Sequence, residues 1–245
     1  MNTTSTPAAV TSRDDWLVAR RALLQKEKDF SRLEDDLSRQ IRALPRYPVT
    51  ERYRFEGPEG TRSLTDLFGS HSQLALYHFM LGPGWEEGCK SCSFVADHFD
   101  GMLPHLAARD VAFAAVSHAP WTEIAPFRQR MGWTFPWYSS HGTRFNHDFR
   151  VSFTPEELAS GVVEYNYTTQ PFPSEEAPGL SVFVRDAAGT VFHTYSTYGR
   201  GVERLMGAYR VLDVVPKGRD EEALEFTMAW VRHHDRYENA ATAPV

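Results

Sequence analysis

The sequence predicts an α/β fold of strands joined by helical crossovers, and three stretches carry that prediction. Leu74-Ala75-Leu76-Tyr77-His78-Phe79-Met80 is an apolar run short enough for a buried strand, and Val111 to Ser117 is another. Between them, Phe94 to Leu106 places apolar residues at helical spacing. Strand, helix and strand in that order form a parallel unit whose crossover should be right-handed. The 245-residue chain is 42% hydrophobic and 13% aromatic, enough to bury a core. Its net charge is −6, from 26 basic and 32 acidic side chains. It has no Lys/Arg-rich block, so a nucleic-acid partner has no support.

Residues 1–11 read as a flexible tail and 12–48 as a helical extension. Ser12 is a helix cap, with Asp15 three residues on and Asp14 adding negative charge to the first turn. From there to Leu44 no Gly or Pro interrupts the pattern, and Trp16, Leu23, Phe30, Leu37 and Leu44 recur every seven residues. About thirty residues at ~1.5 Å each give a rod of roughly 45 Å. Its single apolar stripe must lie on the chain's own domain or on a second copy, so a homodimer is one expectation. The main domain is expected over 49–237. Tyr53 to Gly60 carries turn signals, Ser63 to Phe68 one helical turn, and strand 74–81 follows. After the second strand, a helix around 121–131 ends at Gly132, and Phe135 to Ser139 is a short strand. Residues 141–178 read as an insertion, with a short helix near Pro155 and an extended segment at Val162 to Tyr167. Leu180 to Arg185 and Thr190 to Tyr195 flank Asp186-Ala187-Ala188-Gly189 as a hairpin. Helices are expected near Val202 to Leu212 and Ala223 to Tyr237, then a tail over 238–245.

Every cysteine of the chain lies in Cys89-Lys90-Ser91-Cys92, where the first strand should meet its helix. Two thiols two residues apart at a helix start can close a small disulfide ring, and unpaired N–H groups there favour a thiolate. Strand, CxxC and helix together read as a thiol–disulfide redox site. Cys89, nearer the helix start and solvent, is the expected attacking thiol, and Cys92 the resolving one. Lys90 favours the thiolate, whereas Glu86 and Glu87 oppose it.

This order of elements resembles the thioredoxin fold in its peroxiredoxin-like elaboration. Tyr77-His78-Phe79-Met80, Gly88 to Ser93, Met131-Gly132-Trp133-Thr134-Phe135-Pro136-Trp137, Gly179 to Phe183, Phe192 to Tyr198 and Pro216-Lys217-Gly218-Arg219 look like a bacterial thioredoxin-like family described as domain of unknown function 899. The resemblance spans nearly the whole chain, from Ser12 to Tyr237, and implies the fold; the dithiol oxidoreductase read from the CxxC motif needs no cofactor. Its partner would be a disulfide-bearing protein or a small thiol or disulfide. Trp85, Lys90, Ser91, Pro178 and Tyr195 are the expected supporting residues. Two departures from ordinary thioredoxin stand out. Gly88, not an aromatic residue, precedes the first cysteine, and Pro178 stands one residue early for the cis-proline position, with Pro171 and Pro173 as competitors.

Two other chemistries can use the same thiols. With His78 and His193 they could bind copper or zinc; that layout is similar in outline to thioredoxin-fold copper chaperones, whose cysteine spacing is CxxxC. A thiol peroxidase is the other, but counting back from Cys89 puts Glu86 and Gly82 where the peroxiredoxin pattern needs Thr/Ser and Pro. His98 and His105 read as surface or packing residues, His141, His147 and Asp148 as a weak cluster, and His233-His234-Asp235 as solvated. No apolar run approaches the ~20 residues of a membrane span. Met1 to Pro7 lacks the features of a secretory signal, so a cytoplasmic protein with reduced thiols is expected.

Overall fold

The computed structural model of the protein describes residues 9–238. Almost all of the two expected tails lies outside them. The chain forms two compact units that meet in sequence between Pro45 and Arg46.

The first unit is dominated by helix α1 (Arg13–Arg42). The Ser12 hydroxyl accepts the Asp15 N–H at 3.1 Å, closing the N-terminal turn. Asp14 and Asp15 lie in the first turn and Arg39 and Arg42 in the last, each opposite in sign to the helix dipole end it occupies. Pro45 follows the last turn, where its ring cannot continue the helix.

The second unit holds an eight-stranded sheet and a two-stranded ribbon. Strand β1 (Tyr47–Pro48) is a short edge, and β2 (Arg54–Gly57) and β3 (Gly60–Ser63) form an antiparallel hairpin where only turns were expected. Strand β4 (Gln73–His78) leads to the cysteines and helix α2 (Lys90–Ala96). Helix α3 (Leu103–Ala107), strand β5 (Val111–Ser117), helix α4 (Trp121–Arg130) and strand β6 (Trp137–Ser139) follow. The 141–178 stretch folds as α5 (Phe145–Asp148), α6 (Pro155–Ala159) and the ribbon of β7 (Val163–Tyr165) and β8 (Thr168–Gln170). Strands β9 (Gly179–Arg185) and β10 (Val191–Tyr198) make the late hairpin, and helix α7 (Gly207–Leu212) comes after it.

The sheet order is β1-β10-β9-β4-β5-β6-β2-β3. β4 is flanked by parallel β5 on one side and antiparallel β9 on the other, with β6 parallel beyond β5 and β10 antiparallel beyond β9. This is an α/β thioredoxin-like fold with the cysteines just past the C-terminal end of β4. Alternation along β4 decides which side chains meet them. Leu74 and Leu76 point into one core with Val116, Phe145, Phe149 and Phe183. Tyr77 points into the other, with Phe79, Cys92, Phe99, Phe127 and Trp137. Each such fully buried Leu or Phe contributes about 1.5–3 kcal/mol, so both faces of the sheet are held by its own strand pattern.

Three expectations need correction. The helix expected over 94–106 is broken: α2 stops at Ala96, a 3-10 turn covers Asp100–Met102, and α3 starts afresh. Pro104 cannot donate to the Asp100 carbonyl, and the Asp100 carboxylate instead takes the Thr134 N–H and hydroxyl at 2.9 and 2.8 Å. The helix expected over Ala223–Tyr237 is absent; turns run to Trp230, and His234–Arg236 makes one 3-10 turn. Long-range polar bonds override its helical spacing. Glu221 Oε1 accepts the Tyr209 hydroxyl, the Met228 N–H and the Trp230 indole N–H at 2.7, 3.0 and 2.6 Å. Finally, Pro171, Pro173 and Pro178 all follow trans bonds, since no described residue has a cis peptide.

Candidate dithiol site

Cys89 is the N-cap residue of α2, partly exposed, and Cys92 is buried one turn further in. The Met80 peptide, just past β4, ties both to the sheet: its carbonyl accepts the Cys89 N–H at 3.0 Å, and its N–H faces the Cys92 sulfur. The α2 turn is closed by the Ser93 N–H and hydroxyl, both bonded to the Cys89 carbonyl at 2.9 Å.

The two thiols are driven apart in acidity. Cys89 is held at about 7, below its ordinary 9.0, chiefly because the Cys92 thiol donates to its sulfur. Burial opposes this, but the Cys92 and Ser91 N–H groups and the Ser91 hydroxyl also stabilise the thiolate. Cys92 is pushed well above its ordinary value, first by burial and then by the neighbouring Cys89. The pair is therefore a poised thiolate beside a protonated thiol.

Gly88 explains why no aromatic residue precedes the first cysteine. A Cβ there would lie 2.6 Å from both Phe79 and Phe127 ring carbons. The Gly88 carbonyl accepts Nε2–H of His233 at 2.9 Å. His233 is buried rather than solvated, and its neighbour His234 bonds Asp97 at 2.6 Å. Glu87, expected to oppose the thiolate, is paired with Arg130 at 2.9 Å and with Arg236. Its charge is neutralised in place, and these contacts strap the 231–237 segment across the cysteine loop.

A cleft of about 380 Å³ opens beside α2, lined by Tyr77, Met80, Ser91, Cys92, Val95 and Pro178 on the sheet side. Val202, Met206, Tyr209 and Met228 wall its other side. Cys92, not Cys89, faces it.

A family model described as bacterial protein of unknown function, DUF899, matches residues 5–237. The chain belongs to that family. No curated protein matches it. Among solved structures, the chain is similar to peroxidoxin BcpB from Mycobacterium tuberculosis, at 15% identity over 69% of this chain and 97% of that one, with a TM-score of 0.44. It is also similar to a candidate thiol:disulfide interchange protein, DsbE, from Chlorobium tepidum (14% identity, 67% and 97% covered, TM-score 0.41). A third is peroxiredoxin Q from Xanthomonas campestris (13% identity, 66% and 96% covered, TM-score 0.41).

The supporting residues expected in this DUF899 chain are not all brought together. Ser91 and Pro178 line the cleft, and Lys90 is exposed at the first position of α2. Trp85 packs at the edge of the cysteine-side core and donates its indole N–H to Glu175 at 2.6 Å. Tyr195 stands opposite Val182 on the hairpin and does not line the cleft.

The structure does not bring His78 and His193 to the two cysteines, as the copper or zinc reading needs. Both histidines lie in the other core, His78 stacked on Phe149 and His193 edge-on to it, and the sheet separates them from Cys92. Their Nε2 atoms are bonded to Ser181 and Ser196 at 2.7 Å, and those two hydroxyls bond each other at 2.7 Å. Among the described residues, no group of three or more His, Cys, Asp or Glu side chains is arranged to hold a metal ion. The other histidines split between structural roles and a loose cluster. His98 takes the Ala208 N–H at 3.0 Å, closing the start of α7. The His147 ring lies 5.3 Å from that of His118, a residue the sequence did not single out, and His118 bonds buried Glu176 at 2.9 Å. Also missed were Tyr77, Arg130 and Glu221. Alternation along β4 was the one sequence signal that could have pointed Tyr77 toward the thiols.

Proposed function

We propose that this protein is a dithiol–disulfide oxidoreductase that acts on a disulfide-bearing partner through Cys89. One observation carries the reading: an ionisable, partly exposed sulfur bonded to a buried, protonated one on the same helical turn. The Cys89 thiolate attacks one sulfur of the partner disulfide, forming a mixed disulfide and releasing the partner's other sulfur as a thiolate. Cys92 then attacks Cys89, forming the Cys89–Cys92 bond and releasing the partner's second thiolate. The Cys92 proton ends on one released sulfur and water protonates the other, so two electrons and one proton pass from the dithiol to the partner. Attack raises the demand on Cys92, because the negative Cys89 that held its proton is gone and the Met80 N–H can then stabilise the new thiolate.

The test is covalent trapping. Cys92→Ser should accumulate a mixed disulfide with a protein disulfide substrate, visible as a reducible band and as added mass. Cys89→Ser should accumulate none. Equal trapping by both variants, or none by either, overturns the assignment.

A further inference from the structure

Tyr77 lines the cleft, fully buried, and its hydroxyl has no oxygen or nitrogen partner, only the Cys92 sulfur beside it. It lies close enough to Cys92 for each to shift the other's ionisation. A buried hydroxyl left with only a weak sulfur acceptor is under-satisfied, so it is expected where an occupant supplies a better one. The cleft that it faces has mainly apolar walls and a volume of about 380 Å³, at the small end of ligand sites (roughly 300–1,000 Å³). Charged residues at its rim are already committed. Arg219 is held by Glu203 and Asp213, Arg200 by Glu203, and Glu221 by its three donors. Nothing there calls for a charged ligand.

We propose that the cleft is a second route to the dithiol, used by a small uncharged disulfide that reacts at Cys92 and accepts a hydrogen bond from Tyr77. This rests on the dithiol reading above and adds a substrate class to it. Larger partners meet Cys89 from outside; the small disulfide meets Cys92 from within. The Cys92 sulfur bonds to one sulfur of R–S–S–R and the S–S bond breaks. The first R–S⁻ leaves beside the Tyr77 hydroxyl and takes the proton that Cys92 gives up. The Cys89 thiolate then bonds to the Cys92 sulfur, and the second R–S⁻ leaves and is protonated by water. The dithiol is oxidised by two electrons and the small disulfide reduced by two.

The probe is dipyridyl disulfide, followed by absorbance of the released pyridinethione, against oxidised glutathione as a larger, charged comparison. Native Cys89→Ala protein should release one equivalent of thione, and should react with oxidised glutathione about 100-fold more slowly after correction for each reagent's rate with free cysteine. Adding Tyr77→Phe to that variant should slow thione release about 10-fold or more, the effect of losing one hydrogen bond to a developing charge. Wild-type protein alkylated at Cys89 gives the same readout should the alanine variant fail to fold. Thione release only after unfolding, equal rates with both reagents, or a Tyr77→Phe rate equal to its parent overturns the second route. Trapping at Cys89 would survive each of those results, so the two readings fail separately.

Discussion

Cys92→Ala removes the largest single contribution to the acidity of Cys89, the thiol that donates to its sulfur. A hydrogen bond to a charged group is worth about 1.5–3 kcal/mol, which corresponds to about 1–2 pH units. The Cys89 midpoint should therefore climb from about 7 toward its ordinary 9.0. At pH 7 the thiolate fraction falls from about one half to roughly 1–10%, while each remaining thiolate becomes about 3- to 8-fold more nucleophilic. The net iodoacetamide rate at pH 7 should drop about 2- to 6-fold. Near pH 9 the order reverses, because both forms are then substantially ionised and the more basic thiolate is the better nucleophile. The pH–rate curves of the two proteins must cross. The assay is alkylation rate against pH, with thiolate absorbance as an independent titration. A wild-type midpoint at or above about 8.5, or curves that superimpose, would refute the account of how Cys89 is activated.

Gly88→Ala should lower stability by about 1–3 kcal/mol, because its methyl meets the Phe79 and Phe127 rings, neither of which can withdraw from a packed core. A thermal melt reads this, and an unchanged midpoint would count against the packing described. Burial pushes His78 down to about 3, below its unfolded value near 6.5. The unfolded chain therefore binds the extra proton first as pH falls, so the stability from burying a neutral ring is complete above about pH 6.5 and lost progressively toward pH 3. Denaturant titrations across that window should show a shallower acid limb for His78→Gln than for wild type, and parallel limbs would exclude His78 as the cause.

The parts of this molecule governed by local pattern were legible in the sequence. The apolar runs of β4 and β5, the Asp-Ala-Ala-Gly turn of the late hairpin and the Ser12 cap each carry their signal within a few residues. The cysteine motif did too, since its chemistry depends on spacing alone. What escaped depends on contacts between distant residues. His233 reads as a solvated helix end until Gly88, 145 residues away in sequence, is seen to present its carbonyl. Leu224, Met228 and Val231 have helical spacing, yet the Glu221 carboxylate holds the backbone between them in turns. The sequence pairs His78 and His193 with the cysteines because the late hairpin could reach the same end of the sheet, yet His193 stands opposite Phe183, at the level of Leu74. Which face a side chain takes depends on the parity of its position, and for His193 on a β-bulge between His193 and Tyr195 that no local pattern announced.

The seven-residue spacing of Trp16, Leu23, Phe30 and Leu37 has a geometric consequence for α1. A helix of 3.6 residues per turn does not return to the same azimuth after seven, so the line through these side chains drifts by about 20° per repeat. From the first to the fourth the drift reaches about 60°. A flat surface can meet such a line over only part of its length, whereas a second rod coiling left-handed around it stays in register from end to end.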